Sequence, residues 1–167
     1  MSHQHVTIED VRRALAQEHP GDAVHRRMAL RPVHPQVELA PPQLHRQGGV
    51  LLLLYPCVGR LCFVLTRRTE KVLTHRGQIS FPGGAQEPED VSLAHTALRE
   101  AEEELGISLA DAEPLGALTS YYIARTNYDI HPLVVYLPRH PVFHPNTDEV
   151  AELLEIVREK TSNTNVD

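Results

Sequence analysis

The chain has 167 residues, a length typical of one domain, and its hydrophobic fraction of 41% is sufficient for one core. Sixteen lysines and arginines against 22 aspartates and glutamates give a net charge of −6, which argues against a dedicated nucleic-acid-binding protein. The apolar run at residues 50–55 is too short to cross a bilayer, and the N-terminus lacks a secretory signal pattern. We therefore expect a cytoplasmic protein with neither nucleic acid nor membrane as a partner.

The first predicted element is a short helix near the N-terminus. Thr7 is a suitable N-cap for a segment whose apolar residues recur at helical spacing, and the His-Pro-Gly sequence at residues 19–21 would end it. Four prolines at residues 31–43 favour an extended or looped segment. We predict a single domain over residues 1–167, in which residues 1–48 are a helical and extended N-terminal extension.

A β-hairpin is predicted next. Residues 50–55 and 61–66 are rich in apolar residues that suit strands, and residues 56–60 between them resemble a turn. Cys57 and Cys62 flank this turn without the CxxC spacing of a zinc site, and two cysteines do not define a disulfide scaffold. We predict that both are small, buried, apolar residues.

The second half of the chain predicts a mixed sheet. Residues 90–105 have the pattern of a helix that ends at Gly106, and residues 115–123 and 130–137 have the pattern of strands. A last helix is predicted to start at residue 147 or 148 and to continue through Ile156. Strands interrupted by a long helix and followed by another predict an α/β or α+β fold, with a mixed β-sheet sandwiched between helices.

The helix at residues 90–105 carries a dense group of carboxylates. Glu100, Glu103 and Glu104 fall within an arc of about 100 degrees at helical spacing, beside an apolar face. Carboxylates that share one face repel each other, so they need either simple solvation or a cation. Oxygen ligands alone suit a hard cation such as Mg²⁺, with Mn²⁺ as the alternative. The residues by themselves leave both interpretations open.

The segment GGAQEPEDVSLAHTALREAEEELGI, which begins at Gly83, resembles the Nudix signature G-x5-E-x7-R-E-U-x-E-E-x-G-U, where U is a bulky aliphatic residue. The second half of the signature matches from Arg99 to Ile107. The first half departs from it, because Asp90 stands in the place of the first glutamate and eight residues instead of seven separate it from Arg99. Ala101 is also small for its position.

The upstream sequence resembles the Nudix subgroup that hydrolyses coenzyme A. That subgroup carries L-L-T-x-R-[SA]-x3-R-x3-G-x3-F-P-G-G, and this chain has VLTRRT at residues 64–69, then Gly77, then FPGG at residues 81–84. Leu73 stands where the pattern has arginine. The resemblance implies a Nudix-like fold and Mg²⁺-dependent cleavage of coenzyme A, or its acylated or oxidised forms, to 3',5'-ADP and 4'-phosphopantetheine.

The resemblance also implies roles for acidic and basic residues of the helix. Glu100, Glu104 and Glu103 would hold the metal, and Arg99 would orient one of them by ion pairing. The proton of the attacking water would go to Glu103 or to an acidic residue outside the helix. Glu149 is one candidate, because Nudix proteins often present a further acidic residue there, but an N-capping role in the last predicted helix competes with this interpretation.

Substrate-binding residues are expected around the glycine turn. Gly83 and Gly84 would shape the loop that begins the helix segment. Arg67, Arg68 and Arg76 precede this turn, and their guanidinium groups suit phosphate oxygens, so we expect at least one of them to bind the 3'-phosphate of coenzyme A.

Two alternatives to coenzyme A hydrolysis remain at this stage. One is a Nudix diphosphatase that acts on ADP-ribose, NADH or a dinucleoside polyphosphate. The other is a nucleotide-binding module without catalysis, which the retained glutamates disfavour. The expected partner is a small molecule in each case, and the sequence leaves the oligomeric state open, with a homodimer as one option.

Overall fold

The computed structural model describes residues 5–18, 21, 45–70 and 77–157. Its elements are, in chain order, α1 (Ile8–Leu15), β1 (Arg46–Cys57), β2 (Arg60–Arg68), β3 (Ile79–Ser80), β4 (Gly83–Ala85), α2 (Leu93–Leu105), β5 (Glu113–Ala117), β6 (Tyr121–Ile123), β7 (Tyr128–Tyr136) and β8 (Val150–Val157). In this part of the chain, no helix has the length and apolar character needed to cross a membrane.

Strand β1 is the centre of one mixed sheet. It pairs antiparallel with β2 and with the short β4, and it pairs parallel with β7 over nine residues. β5 and β6 both pair with β7, while β3 and β8 both pair with β2. The predicted mixed sheet is therefore confirmed.

Alternate residues of β1 pack on opposite faces of the sheet. Leu51 and Leu53 are fully buried in a cluster with the apolar face of α2. Leu54 lies in a second cluster, against which apolar residues of α1 pack. Because successive side chains of a strand point to opposite faces, one strand supplies both layers. The sheet lies between two helices, as the sequence predicted.

The N-terminal helix forms where it was predicted but is shorter. The Thr7 side chain accepts a hydrogen bond from the Asp10 backbone, and the Asp10 side chain accepts one from the Thr7 backbone, which completes a capping box. The helix ends at Leu15, before the predicted stop at residues 19–21. The predicted extended segment at residues 31–43 lies outside the described residues.

Helix α2 begins later than predicted. Its N-cap is Ser92, whose hydroxyl accepts a hydrogen bond from the His95 backbone, so Asp90 lies before the helix and not in it. The predicted end is confirmed: Gly106 has φ 60, and the carbonyl oxygen of His144 would lie only 1.9 Å from a Cβ there. Only glycine satisfies both the conformation and the contact.

The predicted last helix is wrong, because residues 150–157 form strand β8. This strand pairs antiparallel with β2, and Leu154 lies opposite Leu65. The second edge of β2 offers backbone groups that need partners, and this long-range pairing overrides a local pattern that also fits a helix. The predicted strand at residues 115–123 likewise divides into β5 and β6.

The hairpin is confirmed, with a tighter turn than predicted. Val58 and Gly59 both have positive φ, as two-residue hairpin turns require. Cys57 and Cys62 are buried as predicted, but they are joined by a disulfide, which the sequence analysis did not predict. Their Cα atoms lie 5.8 Å apart in neighbouring strands, within the range that a disulfide needs.

Gly49 in β1 fixes how closely α2 approaches the sheet. A Cβ at this position would lie 2.4 Å from the Leu93 carbonyl oxygen and 2.8 Å from the Ala97 nitrogen. Since both are backbone atoms of α2, we expect Gly49→Ala to lower the free energy of unfolding by about 2 kcal/mol or more. Chemical denaturation measures this loss.

Gly59→Ala is the matched control for this substitution. No atom lies within 4 Å of its Cβ position, so only its positive φ opposes the change, at a cost of about 1 kcal/mol. If the two variants lose the same free energy of unfolding, the close packing of α2 on Gly49 does not make this position more sensitive to an added methyl group than the hairpin turn.

Candidate active site

A cleft of about 1100 Å³ opens where β1, β4 and α2 meet. At one end it is lined by three carboxylates, one arginine and the two glycines of β4: Glu100, Glu104, Glu149, Arg68, Gly83 and Gly84. The predicted glutamate helix and glycine turn therefore lie together in one cavity.

The glycines of β4 make room for the glutamates of α2. A Cβ at Gly84 would lie 2.4 Å from the carboxylate carbon of Glu100, so any other residue would displace that side chain. The backbone nitrogen of Gly83 donates a hydrogen bond of 3.4 Å to Glu104. The Gly-Gly step thus brings backbone and carboxylates into direct contact.

Burial sets the electrostatics of Glu104. Its side chain is only 5% exposed, and this burial raises its pKa to about 7, with further increases from the charges of Glu100 and Glu149. The Arg68 guanidinium, 3.5 Å away, and the Gly83 N–H act in the opposite direction. The protein therefore offsets only part of the negative charge of the Glu104 carboxylate.

Glu100 has the same character in a milder form. Burial raises its pKa, and the nearby charges of Glu103 and Glu149 add to the increase, while Arg99 at 3.0 Å opposes it. The two cleft glutamates of α2 are therefore both held in an environment that disfavours their charged forms.

Glu149 is the third carboxylate of the cleft and comes from a distant part of the chain. It directly precedes β8, its carbonyl oxygen accepts a hydrogen bond from the Thr69 backbone at 2.9 Å, and its carboxylate accepts one from Asn146 at 3.4 Å. Because a strand follows instead of a helix, the competing N-capping role for Glu149 is wrong. Its charge raises the pKa of both Glu100 and Glu104.

Arg99 is locked in place by Asp90. Its Nε and Nη2 atoms each lie 3.0 Å from an oxygen of the Asp90 carboxylate, whose side chain is 1% exposed. This pairing holds the pKa of Asp90 well below its usual range and raises that of Arg99. A third nitrogen of Arg99 reaches Glu100, so Asp90 positions Arg99 and Arg99 positions Glu100.

The role of Asp90 was missed by the sequence analysis, which left this residue without a function. Besides Arg99, its carboxylate accepts hydrogen bonds from the Thr96 hydroxyl and the Glu87 backbone and contacts the His95 ring. A carboxylate with this many partners has little capacity left to bind a cation. The one available signal was the placement of an acidic residue nine positions before Arg99.

The structure does not bring every predicted site residue into the cleft. The Glu103 side chain is 60% exposed and pairs with Arg99 at 3.3 Å. Arg67 pairs with Glu152 on β8 at 2.8 Å and does not line the cleft, whereas its neighbour Arg68 does. Arg76 lies outside the described residues.

The donor set fits a hard divalent cation that keeps part of its hydration shell. Among residues 5–18, 21, 45–70 and 77–157, no three histidine, cysteine or acidic side chains form a closed metal cage. Mg²⁺ commonly needs only one or two carboxylates together with water and substrate phosphate. Glu104 supplies a buried carboxylate and Glu100 a half-buried one. The protein offsets only part of the charge of either, so a cation fits there.

The chain is similar in sequence to proteins of one known family. The model of the NUDIX domain family matches residues 45–160. An uncharacterized Nudix hydrolase, NudL, of Pectobacterium atrosepticum is 39% identical over 77% of this chain and 61% of its own length. NudL of Yersinia enterocolitica is 40% identical over 65% of this chain and 55% of its length. The chain thus spans about 55–61% of the length of these curated relatives.

Solved structures show the same fold at low sequence identity. The Nudix hydrolase RenU of M. smegmatis has a TM-score of 0.54 at 21% identity, covering 68% of this chain and 71% of its own. The NUDIX domain of Shewanella oneidensis NrtR, solved with ADP ribose, has a TM-score of 0.52 at 17% identity, covering 72% and 79%. These likenesses concern the fold alone.

The raised pKa of Glu104 predicts a pH dependence of stability in metal-free protein. Between its ordinary pKa of 4.5 and about 7, the folded state holds a proton that the unfolded chain has released. The stabilisation is therefore complete below pH 4.5 and lost as the pH rises through 7, by up to about 3 kcal/mol. Chemical denaturation in EDTA between pH 5 and 8 measures the loss.

Two glutamine variants isolate this contribution. Glu104→Gln has no charge to bury and should remove most of the decline, whereas Glu103→Gln, with its 60% exposed side chain, should keep it. A decline that persists unchanged in Glu104→Gln would assign it to other groups.

Proposed function

Since the chain belongs to the Nudix hydrolase family, we propose that it hydrolyses the diphosphate linkage of coenzyme A in a Mg²⁺-dependent reaction. The products would be 3',5'-ADP and 4'-phosphopantetheine, and acylated or oxidised coenzyme A are further candidate substrates. The observation that carries the proposal is that the buried Glu104 and the half-buried Glu100 line one cleft with Glu149 and the two glycines of β4.

The chemistry of the cleft suits an anionic, unreactive substrate. Glu100 and Glu104 would hold a divalent cation, which would supply positive charge to offset that of the diphosphate oxygens and would favour ionisation of water. Arg68 has a buried Nε–H that finds no hydrogen-bond partner among the described residues. Since its Nη1 already contacts Glu104, Arg68 can donate to a phosphate oxygen that lies beside this carboxylate.

Glu149 is the carboxylate best placed to accept the proton of the attacking water. It lines the cleft, and no lysine, arginine or histidine of the described residues forms an ion pair with it. Glu103, in contrast, is engaged by Arg99 and mostly exposed. We therefore assign the proton-accepting role to Glu149 and keep Glu103 as an outer metal ligand that would act after release from Arg99.

The preference for coenzyme A rests on the sequence block that precedes α2. The segments at residues 64–69 and 81–84 resemble the coenzyme A subgroup, and the structure brings Arg68 and the Gly-Gly step of these segments to the cleft. Incubation with Mg²⁺ and coenzyme A, ADP-ribose or NADH, followed by mass spectrometry, tests the substrate. Products from ADP-ribose or NADH but not from coenzyme A would replace the proposed substrate by a nucleoside diphosphate derivative.

We predict that Glu104→Gln retains the fold but loses Mg²⁺-dependent turnover by at least about a hundredfold, because the amide keeps the shape and removes a negative ligand. Steady-state kinetics at saturating Mg²⁺ measure the loss. Glu113→Gln is the matched control, since Glu113 pairs with Arg12 and lies outside the cleft. Near-parental turnover of Glu104→Gln would remove Glu104 from the metal site.

We predict that Glu149→Gln lowers kcat by at least about tenfold while the melting temperature stays equal or rises slightly. The rise is expected because Glu100 and Glu104 lose a repelling neighbour. Calorimetric melting of metal-free protein and kcat at saturating Mg²⁺ provide the two readouts. A kcat within about twofold of the parent would exclude the catalytic role.

A further inference from the structure

A second group of polar residues lines the cleft away from the carboxylates. Arg46 is the first residue of β1, Arg125 lies in the turn between β6 and β7, and Tyr128 is the first residue of β7. The parallel pairing of β1 with β7 places Arg46 directly opposite Tyr128. Residues far apart in the sequence therefore meet at one end of the cleft.

The guanidinium of Arg46 is restrained but not neutralised. Its central carbon lies 4.4 Å from the centre of the Tyr128 ring, a cation–π arrangement that limits its rotation. Among the described residues, no carboxylate forms an ion pair with Arg46 or Arg125, whereas Arg67, Arg68 and Arg99 each have one. Two uncompensated cations in the cleft of a chain with net charge −6 indicate an anionic ligand.

The position of these arginines separates them from the carboxylate end. Gly84, which contacts Glu100, pairs with Gly49, three residues after Arg46 along β1. An extended strand advances about 3.3 Å per residue, so the backbone positions lie roughly 10 Å apart. Arg46 is therefore placed for a different anionic group from a diphosphate beside the glutamates. Arg125 lines the same cleft from the turn three residues before Tyr128, the partner of Arg46.

We infer that Arg46 and Arg125 form a second anion subsite, which binds a phosphomonoester of the substrate apart from the diphosphate that is cleaved. This inference rests on the proposed function, in which the 3'-phosphate on the adenosine half of coenzyme A is that group. A guanidinium fork matches the oxygens of a terminal phosphate, and the Tyr128 ring holds one of the two forks in place. The sequence analysis expected this contact from at least one of Arg67, Arg68 and Arg76. Arg67 instead pairs with Glu152, and Arg76 lies outside the described residues, so we assign the 3'-phosphate to Arg46 and Arg125.

The kinetic test compares coenzyme A with 3'-dephospho-coenzyme A. Arg46→Ala and Arg125→Ala should each lower kcat/KM for coenzyme A at least about tenfold, mainly through KM, and change it less than about twofold for the dephosphorylated form. Arg139→Ala, on an exposed arginine that pairs with Asp111, is the matched control. Equal losses on both substrates would instead indicate stacking of the base on Arg46, and losses on neither would also overturn the subsite.

A binding measurement keeps the inference independent of turnover. By titration calorimetry, the parent should bind adenosine 3',5'-bisphosphate at least about tenfold more tightly than adenosine 5'-monophosphate, and both alanine variants should lose this difference. If the parent cleaves neither form of coenzyme A, the proposed function fails while this comparison still decides the subsite. A parent that binds the two nucleotides equally would overturn it.

Arg125→Ala is expected to fold normally, because Arg125 is exposed in a turn and its truncation removes no core contact. If Arg46→Ala unfolds, Arg46→Lys retains the charge and loses the fork, so a partial loss of discrimination is expected from this second variant. The inference would be contradicted if Arg125→Ala and Arg46→Lys both preferred the 3'-phosphorylated ligand over the dephosphorylated one as strongly as the parent does.

Discussion

The candidate site depends on the close approach of α2 to the glycine-containing backbones of β1 and β4. Gly49 lets the first turns of α2 lie against β1, and Gly84 lets the Glu100 carboxylate lie against β4. A side chain at either position would occupy space that the helix or its carboxylate now fills. The same contact that buries the apolar face of α2 therefore buries the Glu104 carboxylate and removes much of the Glu100 side chain from water.

That burial is electrostatically unfavourable in the absence of a cation. The charges of Glu100, Glu104 and Glu149 oppose one another, and within the described residues Arg68 and Arg99 offset only part of the repulsion. Asp90 contributes by fixing Arg99, so the fold holds a strong ion pair beside a group of under-compensated carboxylates. Sites that bind a metal often carry such a cost, which the bound ion offsets.

Local pattern predicted much of this arrangement. The turn of the hairpin, the glycine at the end of α2 and the carboxylates at residues 100 and 104 follow from spacing and resemblance, because neighbouring residues determine them. Other features of the site depend on pairing between strands that are distant in the sequence. The pairing of β8 with β2 places Arg67 opposite Glu152, and the pairing of β1 with β7 brings Arg46 to Tyr128. Glu149, which the resemblance named as a candidate, lies in the cleft directly before β8. None of these strand pairings can be predicted from a short segment of sequence.

The parallel pairing of β1 with β7 also has a kinetic consequence. Partners in this ladder are separated by about 82 positions, as for Gln47 and Asp129, whereas the β1–β2 hairpin closes over a two-residue turn. Closing a long loop before its contacts form is entropically costly, so contacts of high sequence separation slow folding. A nascent chain can complete its hairpin early, but the cleft exists only after synthesis has passed β7 and β8. A ligand of the cleft can therefore bind only to chains in which β7 and β8 have joined the sheet.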